Sequence, residues 1–264
     1  MLEKYLHIHP EVQNSISSGN PVIAIDSGIL FNRISYPLNI EIANNISNII
    51  RDTGAIPATT AIINGILKVG LTNEDLEFIA SNKNTIKSSK KDLPFLITKK
   101  STGFTTFTSS IILANLADIK ILVTDYISNI SLEIEELSNT NISVVCSGIN
   151  SLCSSKLNES AIKNNSVSII GYKTNTIPII DNLNYNLDVD YNLDSSMCIA
   201  EALKVKFDLD LRSGFLISSS TSDKNNIGLS SYIESLYNNA ILASNISIDL
   251  SKLTRNKLFW FKIF

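Results

Sequence analysis

The stretch Pro21-Val22-Ile23-Ala24-Ile25-Asp26-Ser27-Gly28 runs five residues without a polar side chain and then breaks at Asp-Ser-Gly. A short uninterrupted apolar run that ends in a turn signal predicts a strand buried on both faces, as in a parallel sheet. Downstream, residues 39–51 set Ile40, Ile42, Ala43, Ile46, Ile49 and Ile50 on one stripe of an amphipathic helix, and Gly54 stands where such a helix ends. Strand, turn and helix make the first half of a crossover unit.

Working outward, the alternation repeats. Residues 59–63 read as a strand, joined through the hairpin turn Asn64-Gly65 to a second at 66–69. Thr72 is placed to cap a helix over 74–80, with Glu74 and Asp75 near its positive end. Residues 103–108 read as a loop feeding a helix at 109–117. Strands follow at 119–123, at 142–146 with Ser147-Gly148 as its exit turn, and at 167–171; helices are expected at 132–137 and 230–246. The expected fold is α/β, a three-layer αβα sandwich around a mostly parallel central sheet. No linker divides it, so one domain spans residues 1–264. Residues 174–210, poor in periodicity and rich in Asn and Asp, are expected to form a small additional lobe or excursion.

With 264 residues and a formal net charge of -3, the chain can bury a large core but has no general attraction for phosphate backbones or anionic lipid. Neither nucleic acid nor membrane is an expected partner. Cys146, Cys153 and Cys198 lack both zinc-site spacing and the density of a disulfide scaffold, so a reducing, cytoplasmic setting is expected. Charges interrupt the first eighteen residues, against a signal peptide. His7 and His9, without ligand-spaced partners, read as exposed.

Several segments, in order, resemble the pseudouridine-5'-phosphate glycosidase family, also known through indigoidine-cluster proteins. They are Ile8-His9-Pro10-Glu11-Val12, Gly19-Asn20-Pro21-Val22-Ile23-Ala24, Tyr36-Pro37-Leu38-Asn39, Gly54-Ala55-Ile56-Pro57-Ala58-Thr59, and Asn64-Gly65 with Lys68-Val69-Gly70-Leu71-Thr72. The similarity continues through Lys87-Ser88-Ser89-Lys90-Lys91-Asp92-Leu93-Pro94, Gly103-Phe104-Thr105-Thr106, Val144-Val145-Cys146-Ser147-Gly148 and Asn238-Asn239-Ala240-Ile241-Leu242-Ala243. The resemblance implies reversible cleavage of pseudouridine 5'-phosphate to uracil and ribose 5-phosphate. A lysine amine would open the ribose as a Schiff base, a glutamate would transfer protons, and a divalent cation, usually manganese, would sit near an aspartate. It also implies a homotrimer and a ribose-phosphate or pseudouridine-phosphate ligand.

Carried over residue by residue, the pattern is incomplete. Asn150 stands in place of the lysine nucleophile, and a delocalised amide cannot attack as an amine does. Asp26 replaces the proton-transferring glutamate with a shorter carboxylate; the alternative reading is an Asp that caps the turn after its strand. Asn129 replaces the metal-side aspartate, so manganese binding is expected to be weak or absent. Lys87, Thr105, Thr106, Phe107, Ser131, Glu133 and Asn239 fall on substrate-binding positions, with Phe107 large enough to narrow the pocket. Glu133 stands for a second aspartate and, with Glu135 and Glu136, is expected to face solvent. Lys87 reads equally as part of a solvated basic edge with Lys83, Lys90 and Lys91. The family's glycine-rich loop is shortened to Thr124-Asp125-Tyr126-Ile127-Ser128. Lys156 is the nearest lysine that could replace the missing nucleophile. Together these changes imply impaired catalysis, against the alternatives of a relocated nucleophile or a non-catalytic binding or assembly subunit.

Overall fold

The computed structural model describes residues 2–150, 166–180, 186–219 and 228–260. Helices are α1 (Pro10–Ser17), α2 (Gly28–Phe31), α3 (Leu38–Thr53), α4 (Asn73–Ser81), α5 (Leu93–Thr98), α6 (Phe107–Leu116), α7 (Ile130–Ser138), α8 (Ser196–Asp208) and α9 (Leu229–Trp260). Strands are β1 (Leu6–Ile8), β2 (Val22–Asp26), β3 (Ile56–Ile63), β4 (Ile66–Val69), β5 (Ile86–Ser88), β6 (Gly103–Thr105), β7 (Ile121–Val123) and β8 (Tyr126–Ile127). After them come β9 (Ser143–Cys146), β10 (Gly148–Asn150), β11 (Ser168–Tyr172), β12 (Thr176–Ile180), β13 (Asn186–Asp188), β14 (Tyr191–Leu193) and β15 (Phe215–Ser219).

The opening stretch is the central strand it was read to be. β2 is buried at every residue and pairs in parallel with β3 on one side and β7 on the other. The sheet runs β1-β4-β3-β2-β7-β9-β15-β11-β14, with β6 on β3 and β5 on β6; its antiparallel pairings are β3 with β4 and with β6. Alternation along β2 divides the core in two. Val22 and Ala24 pack with Leu122, Val144 and Leu216 under Ile111, Leu113 and Ala114 of α6 and Ile130 and Ile134 of α7. Ile23 and Ile25 pack with Ile121, Val123 and Val145 under Ile42, Ile46 and Ile50 of α3 and Leu236, Ala240 and Ala243 of α9. These are the three layers expected.

Local chemistry explains the boundaries. Gly54 ends α3 in the left-handed conformation, and Asn64-Gly65, both at positive φ, close the β3–β4 hairpin. Thr72 caps α4 in a reciprocal capping box with Asp75. His9, half-buried rather than exposed, caps α1 by accepting from Glu11 N through Nδ1.

Three expectations are corrected. Residues 103–108 are not a loop: Gly103–Thr105 is strand β6, and α6 starts at Phe107, buried so widely that it carries no amphipathic stripe to mark its start. Ser147-Gly148 is not an exit turn but a kink between β9 in the main sheet and β10 in a second sheet, ordered β13-β12-β10-β8. The expected lobe at 174–210 is split. Within it, β12 and β13 join the second sheet, β14 returns to the main one, and α8 packs against α9 in the main core. The α8 helix buries Ile199, Ala200, Leu203 and Lys206 on one face; a lysine in the last core-facing place hides the periodicity. Among the described residues no helix is long and apolar enough to cross a membrane.

Candidate functional site

Ligand sites in open α/β sheets form beyond the carboxyl ends of the strands, and here the polar residues converge there. Asp26 ends β2, Thr124 follows β7 and Ser147 follows β9. The antiparallel pairing of β6 with β3 brings Thr105 alongside Thr60, whose register partner on β2 is Asp26.

Asp26 is 4% exposed and surrounded by donors of its own chain. Oδ1 accepts from Gly28 N at 2.9 Å, Ser110 Oγ at 2.9 Å and Thr105 Oγ1 at 3.1 Å; Oδ2 accepts from Thr124 Oγ1 at 3.2 Å. The bond from Gly28 is the turn-capping contact that the residue type allows. A side chain at position 28 would lie 2.7 Å from Thr105 O, so only glycine fits the turn against β6. A second tier of hydroxyls backs the first. Thr105 Oγ1 lies 2.9 Å from Ser27 Oγ and 3.0 Å from Thr60 Oγ1, and Ser27 Oγ accepts from Thr105 N. Burial pushes the Asp26 carboxyl up to about 6, and the nearby Asp125 charge adds to that push against the opposing hydrogen bonds.

Asp125 was missed as a site residue by sequence reasoning. Its Oδ1 accepts from Tyr126 N at 2.7 Å and lies 3.4 Å from the Thr124 hydroxyl that also reaches Asp26. One hydroxyl proton cannot serve both carboxylates at once, so the two groups are coupled through Thr124. Asp125 Oδ2 lies 3.2 Å from Tyr232 Oη, whose one proton also has Ile29 O within reach at 3.0 Å, and 3.8 Å from Arg33 Nε. The Arg33 guanidinium lies 5.3 Å from the Tyr126 ring and 5.4 Å from the Tyr232 ring. Asn239, fully buried on α9, donates from Nδ2 to Thr124 O at 3.2 Å and to Ser147 Oγ at 2.8 Å. Its Oδ1 is buried without a hydrogen-bond partner among the described residues.

This arrangement can be compared with known proteins. Residues 11–258 match the family model described as indigoidine synthase A like protein. The chain belongs to that family. It is similar to the pseudouridine-5'-phosphate glycosidase of Clostridium botulinum strain Langeland, at 34% identity, with 97% of this chain and 100% of that protein covered. That alignment runs over 307 residues, more than this chain has, so this chain passes some of its relative's positions without a residue. It is similar also to the pseudouridine-5'-phosphate glycosidase of Alkaliphilus metalliredigens strain QYMF, at 39% identity over 82% of this chain and 74% of that one. Among solved structures, the prealnumycin C-glycosynthase AlnA in complex with ribulose 5-phosphate shares the fold with a TM-score of 0.84 at 20% identity, covering 96% of this chain and 99% of that one. An indigoidine synthase A-like protein from Thermotoga maritima does so with a TM-score of 0.82 at 16% identity, covering 94% and 97%.

In this indigoidine synthase A-like chain the expected site residues do not form one group. Asp26, Thr105 and Asn239 belong to the network at the strand ends. Thr106 is the N-cap of α6, in a capping box with Ser109. Phe107 does not narrow a pocket, because at 3% exposure it packs into the core with Ile111. Lys87 is exposed on β5, and its neighbour Lys90 pairs with Glu136 at 2.7 Å, so the basic edge is partly engaged in an ion pair. Ser131 is exposed in the first turn of α7.

Glu133 and Glu136 do not face solvent; Glu135 does. Glu133 turns back to accept from Ser128 N at 2.7 Å and Asn129 N at 3.1 Å, fixing the entry of α7. Burial outweighs those two amides and raises its carboxyl to about 8, with Asp125 and Asp26 adding to the rise. Asn129 caps α7, its Oδ1 accepting from Leu132 N at 3.4 Å. Among the described residues no group of three or more His, Cys, Asp or Glu could hold a metal ion. The side-chain oxygen of Asn129, at the expected metal position, is engaged in capping α7.

Asn150 ends β10, paired in register with Ile180 of β12. Lys156 lies outside the described residues. Lys206 is the described lysine with a lowered pKa, brought by burial to about 8, but it lies with Lys120 and Phe215 at the amino ends of β7 and β15. It is therefore at the other end of the sheet from Asp26.

Position in the fold gives the signal that would have found Asp125, since it lies two residues beyond the carboxyl end of the central strand β7. Arg33 and Tyr232 carry no such mark; only tertiary packing joins them.

Proposed function

We propose that this chain is a catalytically impaired relative of the pseudouridine-5'-phosphate glycosidases that retains binding of a ribose-phosphate compound and does not depend on manganese. The observation that carries this reading is the saturation of Asp26. A general acid needs a carboxyl that reaches substrate, whereas this one is buried and receives donors from Gly28, Thr105, Ser110 and Thr124. The amide of Asn150 at the nucleophile position points the same way, because a Schiff base requires a primary amine.

Binding is supported from a different direction. The glycosidase names of the relatives and the ribulose 5-phosphate in the structural neighbour make a sugar phosphate the fitting class.

The test is to incubate the purified chain with pseudouridine 5'-phosphate, with and without manganese, and to follow free uracil. The expected result is binding of ribose 5-phosphate without uracil release. Turnover by the unaltered chain, lost in Lys156→Ala, would overturn the reading in favour of a relocated nucleophile.

A further inference from the structure

Arg33 has no part in the family reaction as carried over above, yet it is the cation held most deliberately near the site. The turn after α2 places it beside Asp125, and its guanidinium is set against the rings of both Tyr126 and Tyr232. Neither aromatic contact consumes an N–H donor, because the cation faces π-electron density rather than a lone pair. Among the described residues no acceptor lies within hydrogen-bond distance of Arg33, and Asp125, its charge partner, stays 3.8 Å away because its oxygens are turned to Tyr126 N and Tyr232 Oη. The side chain is 41% exposed. Arginine offers five donors in a fixed fork that matches the oxygens of phosphate. Two rings restrict that fork before any ligand arrives, which lowers the ordering cost of binding.

We infer that Arg33, packed against the neighbouring rings of Tyr126 and Tyr232, which lie 6.1 Å from each other, is the anion-recognising residue of the site, and that its ligand is the phosphate of a phosphate monoester. The choice of a sugar phosphate as the whole ligand rests on the function proposed above, whereas the assignment of Arg33 to the phosphate rests on its own geometry. Asp125 acts as an internal competitor: its carboxylate neutralises part of the Arg33 charge and repels an incoming anion. Opposite effects follow for the two members of the pair.

Calorimetric titration of the full chain with ribose 5-phosphate and with inorganic phosphate tests this. Arg33→Gln should weaken ribose 5-phosphate binding by about tenfold or more, the loss of one charge-assisted pairing. Arg33→Lys should restore little of it, since an ammonium lacks the fork. Asp125→Asn, which keeps an acceptor for Tyr126 N, should tighten binding. Undiminished binding of ribose 5-phosphate to Arg33→Gln would overturn the assignment and leave the functional reading standing. Arg33-dependent binding of inorganic phosphate, with ribose 5-phosphate no tighter, would keep the assignment and defeat the functional reading. Failure of both anions to bind the unaltered chain defeats both.

Discussion

Asp26 and Arg33 are seven positions apart, one at each end of the turn and short helix that follow β2, and their surroundings are opposites. Asp26 is sealed, its oxygens claimed by four donors from three other elements and its own turn. Arg33 is half-open, held against two rings, and among the described residues its donors meet no hydrogen-bond acceptor. A residue whose bonding capacity is met inside the chain holds structure together. One that is held rigid with capacity to spare is equipped for a ligand. Under the function proposed above, this contrast would put ligand binding at the rim of the site rather than at its chemical centre.

The largest break in the comparison should come from removing the sealed group. Asp26→Ala strands the Ser110, Thr105 and Thr124 hydroxyls and the Gly28 amide around a cavity, and should cost about 3 kcal/mol or more in urea unfolding. Arg33→Ala, at an exposed and loosely paired site, should cost less than about 1 kcal/mol. Equal losses would erase the distinction.

The next effect is read against pH. The folded-state pKa of Glu133, about 8, lies above its ordinary value of 4.5, so the folded chain binds the extra proton between those values. Stability should therefore fall as pH rises from about 5 to 8, and Glu133→Gln should flatten that slope. The raised Asp26 carboxyl acts with the same sign over the window from 3.8 to about 6. Unfolding midpoints across the pH series check both.

Thr124→Val removes the hydroxyl between Asp26 and Asp125. A loss of roughly 1–2 kcal/mol is expected, with a further rise of the Asp26 pKa in carboxyl NMR titration. The smallest effect should come from Lys90→Ala: Lys90 is 63% exposed, so its bond to Glu136 should be worth under about 1 kcal/mol in the same unfolding assay.

The sheet was legible because its central strands are apolar on both faces and its turns carry decisive residues, as Gly54 and Asn64-Gly65 do. α8 was hidden because Lys206 occupies a core-facing place, and the start of α6 because burial around most of its surface leaves no stripe. At the site, Asp26, Thr105 and Asn239 could be named from the sequence, since Thr105 and Asn239 lie in family segments and Asp26 lies two residues beyond one. What each does there could not. Saturation of Asp26 depends on Ser110 and Thr124, 84 and 98 residues away along the chain, and the ring pair against which Arg33 packs depends on Tyr232, brought in by α9. Glu133 was misjudged because its neighbours Glu135 and Glu136 suggest a solvated face, whereas its carboxylate folds back onto the amides that open α7.

The proposed loss of catalysis requires that no nucleophilic amine stand at the carboxyl ends of the strands. Brief incubation of the intact chain with ribose 5-phosphate, reduction with borohydride and mass measurement tests it directly. The expected result is no stoichiometric sugar-phosphate adduct; a single adduct mapped to one lysine, Lys156 above all, would contradict it.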